Sequence, residues 1–113
     1  MRDVEKSIKK VMKELPELRE KAEIEPNNTV LKAEIIGKEV LLKELREDWL
    51  RGAKHSLNYE AENRQRMAKA GHLAEYEYLT SENKTLVNHR KAMEIYKENS
   101  ETIPEEVWTE LIK

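Results

Sequence analysis

Apolar residues fall along this chain at steps of three and four, the spacing that stacks side chains on one face of an α-helix. Val4, Ile8, Val11, Leu15, Leu18 and Ala22 form a strict heptad seam and predict a helix over about residues 2–24. Pro16 lies inside it. A proline removes one backbone donor and crowds the preceding turn, so a kink near residues 12–16 is expected, or a restart with Pro16 in its first turn. The segment "EIEPNNT" then reads as a turn, with Asn28 or Thr29 capping the next helix. That helix, about 29–50, carries Leu31, Ile35, Leu42, Leu45 and Trp49 on one stripe, which Ile36, Val40 and Leu41 are expected to widen. Helix, tight turn and helix give an antiparallel hairpin.

The pattern resumes with Leu57, Ala61, Ala68, Leu73, Tyr76, Leu79, Leu86 and Met93, predicting a long helix over about 53–98. Gly52 marks one candidate break before it. "LTSENKT" (79–85) marks another within it, where Thr80 or Ser81 would cap a new helix. At the end, Pro104, Glu105 and Glu106 precede Val107, Trp108, Leu111 and Ile112. Proline and acids in a first turn followed by apolar residues spell a short helix over about 104–112. No strand pattern occurs. The fold expected is all-α, a small helical bundle in a single domain spanning 1–113.

Composition limits how much core this fold can bury. Charged residues make up 39% of the 113-residue chain and hydrophobic ones 38%, with no Phe. So thin a supply of apolar surface points to narrow packing seams and makes a second copy of the chain a natural supplement. A homo-oligomer would then use the seam Val4, Ile8, Val11, Leu15 and Leu18. The charged start lacks the apolar core of a signal peptide, and no apolar run approaches the roughly 20 residues of a membrane span, so a cytoplasmic protein is expected. Small charged helical chains of this composition, rich in Lys, Glu and Asn and free of cysteine, are common among proteins that bacteriophages and other mobile elements encode, though no motif here matches a family. A small regulator or inhibitor, in a host cytoplasm if so encoded, would suit the chain's size and acidic C-terminal third.

Catalysis finds little support. With zero cysteines there is no thiolate nucleophile and no cysteine-ligated metal. His55, His72 and His89 are separated by 17 residues each, which turns every one about 100° from the last on a helix. They share no face, none follows a Glu-x-x pattern, and ordinary partly exposed histidines are expected. The serines lack an elbow motif, and Gly37, Gly52 and Gly71 stand alone, so no phosphate loop is built. A non-catalytic protein is expected, without metal, cofactor or small-molecule substrate.

Two stretches remain. "NRQRMAKAGH" (63–72) lies in a segment, 51–72, with five cations (Arg51, Lys54, Arg64, Arg66, Lys69) against two acids. As a phosphate-binding helix it would bind weakly and with steep salt dependence, and it lacks the aromatic interleaving of single-strand binders. As a packing surface, Ala68, Ala70, Gly71 and Ala74 would let a neighbouring helix approach. "EYEYL" (75–79) places Tyr76 and Tyr78 about 200° apart on a helix, so one faces the core and the other solvent. An exposed tyrosine beside Glu75 and Glu77 suits a basic protein surface. Trp108 is either the plug of the core or a further anchor. The leading expectation is therefore a protein-binding module that occludes or bridges a larger, nucleic-acid-handling partner through Tyr76, Tyr78, Glu75, Glu77 and Trp108. Nucleic-acid binding through 51–72 is the alternative.

Overall fold

The computed structural model describes the backbone of residues 2–112 and the side chains of residues 4–112. Every regular element among them is helical: α1 (Arg2–Ile24), α2 (Thr29–Lys69), α3 (Leu73–Ser81), α4 (Lys84–Glu98) and α5 (Glu105–Leu111). The all-α expectation holds, and the hairpin and terminal helices lie where the periodicity places them. The middle of the chain is partitioned differently. Gly52 interrupts nothing, and α2 runs through it to Lys69. A lone glycine costs a helix only about 1 kcal/mol, which the flanking turns absorb. The expected helix 53–98 is instead the second half of α2 followed by α3 and α4.

Packing groups the helices into two compact units, one ending at Trp49 and including Ile112, the other Leu50–Leu111. The first unit is an antiparallel hairpin, as its cross-links show. Trp49 Nε1 donates to Glu5 at 3.2 Å, Lys38 pairs with Glu14 at 2.7 Å and Arg19 with Glu39 at 3.4 Å, so the start of α1 meets the later part of α2 and its second half meets the earlier part. Ile8, Val11 and Leu15 are buried, with Val4 and Leu18 half-buried beside them. From α2 the unit buries Leu31, Leu42 and Trp49. The heptad seam is thus covered within the chain. Pro16 sits in an uninterrupted α1 and is exposed. Asn28 caps α2, its Oδ1 accepting from the Leu31 amide at 3.0 Å.

The predicted widening of the α2 stripe fails. Ile36, Val40 and Leu41 are 62%, 52% and 41% exposed, on the face turned away from Leu31 and Leu42. A two-helix hairpin uses one face of each helix, and at about 100° per residue these three positions fall outside it.

The second unit is built from shorter pieces. Helix α2 ends in a tight closure: His72 N donates to Met67 O at 2.8 Å while Gly71 takes φ 81°. This is the left-handed glycine stop that satisfies the last carbonyls of a helix. Asn83, not Thr80 or Ser81, caps α4, accepting from Leu86 N at 3.2 Å. The two hydroxyls instead donate back to the Tyr76 and Tyr78 carbonyls at 2.9 and 2.8 Å, closing the end of α3. Two consecutive left-handed residues, Ser100 and Glu101, end α4. The core of this unit is Ala53, His89, Ala92, Trp108 and Leu111. His89 is 2% exposed, against the expectation of a partly exposed histidine. Trp108 is 3% exposed: it is a plug.

Candidate protein-binding face

Helix α3 is held by one edge. The Tyr76 hydroxyl donates to the Glu60 carbonyl on α2 at 3.3 Å, and the Glu60 carboxylate takes Arg90 from α4 at 2.9 Å. One α2 residue therefore ties both following helices. Arg64 adds a second tie by pairing with Glu77. Burial, followed by the nearby Glu60 charge, pushes the Tyr76 phenol above its ordinary value. That is the signature of a hydroxyl kept neutral as a donor.

With Tyr76 and Glu77 directed at α2, the helical period turns the residues between their repeats away. Glu75, Tyr78, Leu79 and Glu82 follow at i, i+3, i+4 and i+7 and share the opposite side of α3. Tyr78 and Leu79 are each 71% exposed, and no residue of α3 is fully buried. A short acidic-rimmed pair of large apolar side chains results. Next to it, Ser81, Glu82, Lys84, Val87, Asn88 and Glu110 line a shallow open depression.

Of the five residues predicted to contact a partner, the structure leaves Glu75 and Tyr78 available together on this face. Tyr76 and Glu77 serve as tethers, and Trp108 is in the core. Leu79, which the spacing marks only as part of a helix, joins Tyr78 on this face.

The cations of 51–72 are not gathered into one patch. All five are exposed. Arg64 and Arg66 lie about 200° apart on α2, while Arg51 and Lys69 share a face about 27 Å apart along it. Arg64 is paired with Glu77, and Arg66 has Glu62 at 4.0 Å. The small residues Ala68, Ala70, Gly71 and Ala74 are exposed, and of these Gly71 closes the end of α2. Among the described residues no group of three or more His, Asp or Glu is placed to hold a metal ion, and no helix is long and apolar enough to cross a membrane.

Compared with known protein families, curated proteins and solved structures, the chain matches none of them.

Proposed function

We propose that the protein is a non-catalytic binding module whose α3 presents Tyr78 and Leu79 to a basic-rimmed apolar pocket on another protein. The observation that carries this reading is the 71% exposure of both side chains on a helix otherwise tethered through its opposite edge. Large apolar side chains that the fold could have buried, set between Glu75 and Glu82, have the make-up of an interface centre with a charged rim. The acids favour encounter with a cationic surface and set orientation, and the tyrosine and leucine supply the desolvated contact. The module acts by covering or bridging the surface it docks on, as a regulator or inhibitor would.

The test is site-specific photo-crosslinking in cells that make the protein, with a benzoyl-phenylalanine placed at 78 or, as a control, at Tyr59, which is 59% exposed on α2. A discrete product from position 78, missing from position 59 and lost with Leu79→Asp or Glu75→Lys, is expected. Equal products from both positions, or none from 78, would overturn the reading. Labelled DNA and RNA should show no binding at about 50 mM salt. Tight binding there that collapses by about 200 mM would move the function to the cations of 51–72.

A further inference from the structure

Helix α2 is apolar on two opposite faces, and the hairpin uses only one. Leu31, Leu42 and Trp49 are buried on the inner side. On the outer side Ala33, Gly37 and Val40 follow at steps of four and three, flanked by Ile36 and Leu41. Val30, Ile36, Val40 and Leu41 are 76%, 62%, 52% and 41% exposed, and a Cβ built on Gly37 would meet nothing within 4 Å. We propose that this outer face is covered by the α2 helix of a second copy of the chain, running antiparallel about a two-fold axis between Gly37 and Val40.

Charge selects the occupant and its direction. The face begins at a first turn that contains no acid, with Lys32 and then Glu34 on its two borders, and it ends at Glu44 and Glu47, which lie on the face itself with Lys43 at their border. None of Lys32, Glu44 and Glu47 enters an ion pair among the described residues. An antiparallel copy lays its Glu44 and Glu47 over that first turn, beside Lys32 and the positive end of the helix dipole, and symmetry repeats the match at the other end. A parallel copy sets Glu44 against Glu44. A partner of one charge sign would satisfy only half of the face.

Shape agrees. The same two-fold operation lays Val40 of each copy over Gly37 of the other, where no side chain stands, and small Ala33 lets the backbones close up. A mid-helix glycine with open space above it is otherwise a helix-weakening choice without return. The contact covers about four helical turns, at the small end of specific interfaces, so a weak, concentration-dependent dimer is expected. This dimer is separate from the heptad seam of α1, which the hairpin itself covers, and it uses no residue of α3.

Sedimentation of the full chain from about 1 to 300 µM tests it. The mass should rise from 13.4 kDa toward twice that value. A chain still monomeric at about 300 µM overturns the proposal. Gly37→Leu has room in the single chain and improves helix propensity, so the fold is kept while dimerisation should weaken at least about tenfold. Unchanged association of this variant also overturns it. Lys32→Glu should weaken the dimer several-fold at low salt, and less at high salt. Adding Glu47→Lys should restore it, and failure to restore would reject the antiparallel arrangement. Crosslinking from position 78 should be untouched by all three variants, so the two proposals stand or fall separately.

Discussion

Helices α1 and α3 both carry apolar residues at helical spacing, yet those of α1 are interred and the largest of α3 stand in solvent. In α1, Ile8, Val11 and Leu15 are 0%, 3% and 3% exposed. In α3, no residue is buried and Tyr78 and Leu79 are 71% exposed. The difference is one of supply. Helix α1 has a long facing helix whose stripe runs in register with its own over about five turns. Helix α3 spans nine residues and is fixed by a hydroxyl and an ion pair at one edge, so its other edge has nothing to pack against. Polar ties and a few half-buried residues, with no buried apolar stripe, hold α3 in place. A helix oriented in that way is free to spend its apolar residues on something outside the chain.

The largest effect expected along this comparison is at the seam. Ile8→Ala or Leu15→Ala should destabilise the first unit by about 2–5 kcal/mol, whereas Tyr78→Ala and Leu79→Ala should stay within about 0.5 kcal/mol. Urea unfolding of the four variants decides it. A large loss at Leu79 would mean that α3 packs on this edge after all. The glycines sharpen the contrast next. Gly71→Ala should cost about 1–2 kcal/mol, because an alanine at φ 81° is strained whatever space it has. Gly37→Ala should gain about 1 kcal/mol in dilute, monomeric protein, since it lies in open helix. Asn83→Ala should cost about 1 kcal/mol through the lost cap of α4, detectable as a lower urea midpoint.

The smallest effects are in pH, and they run in opposite directions for the two helices. The hydrogen bond from Lys38 holds the Glu14 carboxyl below its ordinary value of 4.5. Its contribution to the hairpin is present above that value and is lost as pH falls through the lowered one; Glu14→Gln should flatten this acid limb. Burial holds the Tyr76 phenol above its ordinary value of 10.0. The tether it provides is present below that value and is lost as pH rises through the raised one; Tyr76→Phe should flatten the alkaline limb, read by circular dichroism.

Much of the fold was legible because it rests on local chemistry. The seam of α1, the Pro26–Asn28 turn, the Asn28 cap and the proline-acid start of the last helix are signals carried within a few residues. The stop at Gly71 was equally local but was hidden by its surroundings. Ala68, Ala70 and Ala74 favour helix, and only the left-handed hydrogen bond from His72 to Met67 ends it. The candidate site was legible in part. Periodicity set Tyr76 and Tyr78 on opposite sides of α3, but it could not say which side the core would take. That choice was made by Glu60 and Arg64, residues more than ten positions earlier in the chain.

The sequence by itself determined that this protein is helical, which residues share a face, and where most helices begin, because period, proline and capping side chains act over one or two turns. Only the tertiary structure decided which faces are inside. Burial depends on whether another element lies opposite, and that is a relation between distant residues. It covered the inner stripe of α2 and left Ile36, Val40 and Leu41 open, and it drew Tyr76 inward while turning Tyr78 and Leu79 out.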